Sequence, residues 1–131
     1  MSHLATVKTE IKDIEALKEA AALVGLTFNE NKTSFKWYGR VGKCDHSLTV
    51  TGDQAAYEAG LTQNADGSFM LQYDFFGNEG RALQRCIGND ADRLRNEYGV
   101  AVATRLARSK GRLVSRTNLE NGKIQLVVTQ R

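Results

Sequence analysis

The sequence predicts an α+β fold. It reads as a single domain over residues 1–131, with a mostly antiparallel sheet of about five to seven strands and two main helices packed on one face. Three observations lead there. The length, 131 residues with 41% hydrophobic and 25% charged, suits one soluble core and is too short for two sizeable ones. Two segments carry apolar residues at steps of three and four. Between and after them apolar and polar residues alternate, punctuated by Gly, Asn and Asp. Proline is absent, where ordinary usage would supply roughly six. Proline-rich linkers, PxxP ligands and cis-proline turns are thereby excluded.

The elements follow in chain order. Residues 4–9 are short and β-prone, a first strand. Ile11, Ile14, Leu17, Ala21 and Val24 recur at helical steps, with Lys12, Glu15, Lys18 and Glu19 on the other face, which predicts a helix over 11–24. Gly25 stands where a helix C-cap wants glycine. Phe35 and Trp37, then Leu48 and Val50, alternate with polar neighbours as strands do, and Gly39 to Lys43 reads as a loop between two strands. Two further strands, near 55–62 and 68–75, flank Asn64-Ala65-Asp66-Gly67, a short hairpin loop. Phe69, Leu71, Tyr73 and Phe75 share a face as the floor of the core. Residues 77–88 fit a helical turn through Leu83, Cys86 and Ile87, weakened by flanking glycines. Asn89 or Asp90 is placed to cap a longer helix ending near Lys110. Its buried stripe is Leu94, Tyr98, Ala101, Val102 and Leu106, with Asp90–Arg93, Asp92–Arg95 and Arg93–Glu97 as surface pairs. Strands 112–118 and 123–129 close the chain through the hairpin dipeptide Asn121-Gly122.

The formal net charge of +3 conceals an asymmetry. Residues 1–80 hold 7 Lys/Arg and 11 Asp/Glu, net −4, and residues 81–131 hold 11 and 4, net +7. No cation lies between Lys43 and Arg81, while Asp45, Asp53, Glu58, Asp66, Asp74 and Glu79 do. Such a split serves either a partner of one sign or neutralisation inside the fold. Arg105, Arg108 and Arg112, with Lys110 and Arg116 near by, form the candidate binding surface, since grouped arginines hold carboxylates and phosphates.

Chemical motifs are otherwise sparse. The soft metal ligands are His3, Cys44, His46 and Cys86. Cys44 and His46 are expected on one strand face, but neither C-x₂₋₄-C nor H-x₃₋₅-H spacing occurs. As a nucleophile pair they fail on reach, with Cα atoms about 6.5 Å apart. Cys86 belongs to an apolar turn and is expected inert. Gly39-Arg40-Val41-Gly42-Lys43 lacks Walker spacing and a following Ser or Thr. Glu58, Asp66 and Asp74 have no lysine near in sequence to complete a nuclease-like set, and are expected on a solvated face. No nucleophile elbow, helix-turn-helix, zinc finger or RRM signature is present. The reading is therefore non-enzymatic, with no catalytic residue, cofactor or metal.

Met1-Ser2-His3 followed by Val7-Lys8-Thr9-Glu10-Ile11-Lys12-Asp13-Ile14-Glu15-Ala16-Leu17-Lys18 resembles the opening of the hypothetical chloroplast reading frame thirty-five family, also called domain of unknown function twelve fifty-seven. The middle (Tyr57 through Gly60, Asn64, Gly67, Leu71, Asp74, Phe76) and the end (Tyr98, Gly111, Val114, Gly122, Ile124, Leu126, Val128) are similar to it as well. The family usually has Trp near the position of Gly77 and a short link to the last helix, where this chain inserts residues 78–89. Members occur in red-algal plastids, cyanobacteria, other bacteria and phages. The family has no assigned activity to transfer, so the resemblance implies a compact accessory protein, with a phage origin compatible.

The expectation is a small cytoplasmic module that binds another protein. With two cysteines, no apolar leader and no long apolar run, neither a disulfide scaffold nor a membrane span is expected. The alternatives are nucleic-acid binding through the basic C-terminal helix and, from the phage resemblance, inhibition of a host defence system. Self-association is compatible with each.

Overall fold

The computed structural model describes residues 4–130. His3 and the opening tripeptide of the resemblance lie outside them. The elements are β1 (Ala5–Lys8), α1 (Ile14–Leu23), β2 (Leu26–Asn29), β3 (Ser34–Trp37), β4 (Arg40–Lys43), β5 (His46–Val50), β6 (Ala59–Gln63), β7 (Phe69–Tyr73), α2 (Gly77–Ile87), α3 (Asp92–Ser109), β8 (Leu113–Asn118) and β9 (Ile124–Thr129). Five strands form an antiparallel sheet in the order β1-β7-β6-β5-β2, and β3-β4 and β8-β9 are separate hairpins. The α+β expectation is met.

Register explains the two faces. Val7↔Leu71, Leu71↔Leu61, Leu48↔Ala59 and Leu26↔Val50 are cross-strand neighbours. They place one apolar face under the helices, where Leu17, Ala20, Ala21, Leu83, Ile87, Leu94, Tyr98 and Ala101 complete the core. The expected floor of Phe69, Leu71 and Tyr73 is buried there.

The helix α1 begins at Ile14, three residues later than the apolar stripe suggests. The Asp13 carboxylate accepts from the Glu15 and Ala16 amides at 3.0 and 3.2 Å, an N-cap that starts the helix. Ile11 still reaches the core, fully buried, from the preceding turn. The Tyr98 hydroxyl accepts from the Lys12 and Asp13 amides, both at 3.0 Å, so α3 anchors the entry to α1. Gly25 follows the helix at φ 89°, as expected.

Four expectations change. Residues 39–43 are not a loop: Tyr38 and Gly39, both at positive φ, make a two-residue turn between β3 and β4, whose register is Trp37↔Arg40 to Ser34↔Lys43. Residues 55–58 are not strand, because Asp53 accepts from the Ala55 and Ala56 amides at 3.1 and 3.2 Å and turns the chain. The uncertain 77–88 segment is a full third helix. Its Gly80 is required, since a Cβ there would lie 2.2 Å from the Phe75 carbonyl carbon. Neither Asn89 nor Asp90 caps α3: Asn89 accepts from the Gln84 amide at 2.6 Å, and the helix starts after Ala91, at φ 59°, with no side-chain cap.

The hairpin β3-β4 closes over the sheet's other face. Phe35 is its wedge, fully buried between Gly42 and Gly60. The hairpin β8-β9 packs on α3. Its turn is longer than the two residues expected: the Gly122 amide donates to Leu119 at 3.1 Å and the Leu119 amide to Lys123 at 2.8 Å, with Gly122 at φ 80°. This is the three-residue hairpin form with glycine in the left-handed position.

Candidate binding surface

The five basic residues expected to act together divide into two groups. Arg105, on α3, donates from Nη1 to Glu19 of α1 at 2.7 Å, and its Nε lies 3.9 Å from Asp13. Arg116, on β8, forks onto Glu97 of α3 at 2.7 and 2.6 Å and gives its Nε to Asn118 at 3.0 Å. The Glu97 carboxylate raises the Arg116 pKa above its ordinary value. These two arginines therefore bind elements of the chain to each other. Arg108, Lys110 and Arg112 have no acidic partner within ion-pair distance among the described residues. They stand together where α3 ends and β8 begins.

Arg108 borders a groove of about 190 Å³ between α1, α3 and the closing hairpin, with Leu23, Val100, Ala101, Val114 and Leu126 as apolar wall and Glu19, Glu97 and Arg116, already paired within the fold, completing it. The α3 stripe departs from expectation here. Leu106 is 56% exposed and Ala107 is buried in its place. Leu23, Leu113, Val127 and Val128 are exposed as well. Neither hairpin edge pairs with another strand among the described residues. Sequence periodicity could not show this, since Val127 and Val128 read as ordinary strand residues.

The acidic gap is explained largely by turns, and the expected solvated face holds for Asp66, which is exposed, but not for Glu58 and Asp74. Glu58 is 9% and Asp74 2% exposed. Glu58 accepts from the Lys36 amide at 2.9 Å and from Lys32 Nζ at 3.4 Å. Asp45 holds the Gln63 amide at 2.7 Å, and Asp74 holds the Phe76 amide at 2.8 Å. Asp66 accepts from the Ser68 hydroxyl at 2.6 Å and amide at 2.9 Å, bonds that hold its carboxyl below the ordinary value. Of the three surface pairs expected along α3, none forms: Arg93 donates to the Arg85 carbonyl, Arg95 meets Glu10, and Glu97 meets Arg116.

Cys44 and His46 do not share a face. A bend at Asp45 separates them. A Cβ on Gly60, on the face away from the helices, would lie 3.1 Å from the Cys44 Cβ, whereas His46 packs between the Phe28 and Phe69 rings. The His46 Nδ1 accepts from the Asn31 amide at 2.9 Å. Burial pushes both thiols above their ordinary pKa, which suits inert cysteines. Among the described residues no three His, Cys, Asp or Glu side chains gather as a metal site.

A second concavity, about 490 Å³, lies on the outer sheet face against the β3-β4 hairpin. Thr27, Thr49, Thr51, Lys36, Gln54 and Glu58 are among its walls, and the Thr27 and Thr51 hydroxyls are 2.7 Å apart. The threonine alternation was visible in sequence, but the pocket depends on the hairpin folding back. Its carboxylates are committed to backbone amides, so it offers hydrogen bonding and no acid–base pair.

The chain matches no protein-family model, no curated protein and no solved structure. No helix among the described residues is long and apolar enough to cross a membrane.

Proposed function

We propose that the chain is a non-enzymatic, cytoplasmic protein-binding module whose docking surface is the α3 C-terminus with the β8-β9 hairpin, and whose partner offers an acidic segment with apolar residues. One observation carries the reading: Arg108, Lys110 and Arg112 are left without acidic partners, with Arg108 on a groove walled in part by apolar side chains, while Arg105 and Arg116 are spent inside the fold. Exposed apolar side chains next to unpaired charge are the composition of a recognition surface. The hairpin edges add unpaired amides and carbonyls, which an extended segment can join as a further strand. The resemblance to the chloroplast reading frame thirty-five family supports an accessory role within this proposal and supplies no activity.

The test is an array of acidic–apolar dodecapeptides with basic and scrambled controls, read by retention of labelled protein. Acidic–apolar peptides should be retained, and R108E/K110E/R112E should lose them at moderate salt while keeping the wild-type melting curve. Equal retention of basic peptides, or indifference to the triple variant, overturns the proposal. The same three cations favour nucleic acid as the second reading. If they contact three phosphates of a duplex, the salt slope of binding is about −2.7, and gel retention with that slope would replace the protein reading.

A further inference from the structure

We infer that a second, separate site lies where β7 meets α2, and that it takes a primary alkylammonium group. The observation that points to a ligand is Asp74. Its side chain is 2% exposed, one oxygen accepts from the Phe76 amide at 2.8 Å, and the other is buried with no hydrogen-bond partner. A buried carboxylate oxygen left bare costs free energy, and such a group in a native fold calls for a donor, from water or from a ligand.

The surroundings select the partner's chemistry. The Tyr57 hydroxyl feels the negative charge of Glu79 and Asp74 and lies near Tyr38. Burial first, and these charges next, push its pKa up, so it stays a neutral donor and acceptor. The Tyr57 amide donates to the Glu79 carbonyl at 3.2 Å, fixing the loop before β6 to the first turn of α2. Tyr38 and Phe76 are the exposed aromatic members, 44% and 45%, and meet edge to face at 5.5 Å. Tyr38 is held there by the positive-φ turn between β3 and β4, at φ 44°. Carboxylates and aromatic rings gathered at the start of α2 suit an organic cation: the rings attract it through their faces and the carboxylate accepts its N–H bonds. A metal ion is disfavoured, since no third ligating side chain joins them among the described residues.

Phe76 precedes α2 and keeps its ring 45% exposed against Tyr38, so an alkyl stem can reach it from solvent. The head group would donate to the bare Asp74 oxygen, with the alkyl stem passing between Tyr38 and Phe76. A lysine side chain and a free diamine share this chemistry.

The experiment is an amide NMR titration of the full chain with n-butylammonium chloride, controlled by n-butanol and by sodium chloride. The Tyr38, Phe76 and Gly77 amides should shift saturably with the ammonium only. D74N keeps an acceptor for the Phe76 amide and should weaken binding roughly tenfold or more; Y38L, at an exposed position, should weaken it a few-fold. Should D74N fail to fold, E79Q and Y38L together carry the same test. Shifts shared with butanol, no saturation by about 100 mM (a Kd that forgoes even millimolar affinity), or unchanged affinity in D74N or in both fallback variants overturn the inference. Cadaverine and a lysine-containing peptide then separate the sources, the tighter of the two naming a free diamine or a partner's lysine.

Discussion

Gly60→Ala tests the packing between the sheet and the β3-β4 hairpin. A Cβ at this position would lie 2.4 Å from Phe35 Cδ1, 2.5 Å from Cε1 and 3.1 Å from the Cys44 Cβ. Ordinary carbon contacts sit at about 3.5–4.0 Å, so the ring must retreat by more than an ångström. It has nowhere to go. Gly42 lies against the same ring, close enough that its own Cβ would come within 2.5 Å of Cε1. Gly60 is not among the positive-φ glycines, so the backbone tolerates alanine, and the lost unfolded-state entropy should return about 0.4–1 kcal/mol. Overpacking costs typically 1–3 kcal/mol, and a ring pinned from two sides belongs at the upper end. The expected net loss is about 2 kcal/mol, or a melting point lower by roughly 8 °C at about 4 °C per kcal/mol. Urea unfolding of the wild type, G60A, F35L and the double variant supplies the assay. Phe35→Leu shortens the offending side chain, so the double variant should be more stable than the sum of the singles by about 1 kcal/mol. Strict additivity, or G60A as stable as the wild type, would refute the account of the second face.

Further outcomes can be checked alongside. Tyr98→Phe removes the acceptor shared by the Lys12 and Asp13 amides and should cost about 1–2 kcal/mol in urea unfolding, with loss of protection at the start of α1 in hydrogen exchange. Arg116→Met leaves Glu97, whose side chain is 12% exposed, without its fork. Exchange in the β8-β9 amides should quicken while the sheet amides keep their rates. The Asp66 carboxyl is depressed in the folded chain by Ser68, so its contribution is present above the unfolded carboxylate value of about 3.9 and is lost as pH falls through the lower folded value. Asp66→Asn should therefore lower stability at neutral pH and flatten the acid limb of a stability–pH curve below about pH 4, where the two curves converge.

The β6-β7 and β8-β9 hairpins, α1, α3 and the floor of the core were legible because each depends on local pattern: Leu17, Ala21 and Val24 at helical steps, Phe69, Leu71 and Tyr73 at strand steps. Boundaries slipped where a short polar side chain took a backbone amide. Asp13 and Asp53 did so, and each moved an element's start by several residues. The site was less legible for a different reason. Five cations sharing a stretch of sequence look like one patch, but Glu19 and Glu97 reach two of them through tertiary contacts 86 and 19 residues apart. The bare Asp74 oxygen is likewise a property of packing, since a carboxylate two residues before a helix ordinarily caps it or faces water.

Because β8-β9 rests chiefly on α3 and shares no ladder with the sheet, the chain carries two stability scales. A two-stranded ribbon is marginal by itself, so its opening should be a local event that leaves the five-stranded sheet closed. Substitutions along the ribbon can then accumulate with little effect on folding, and the surface can change partners faster than the core can change shape. An occupant that adds a strand would repay the ribbon's marginality directly, turning binding into local ordering that the rest of the molecule does not register.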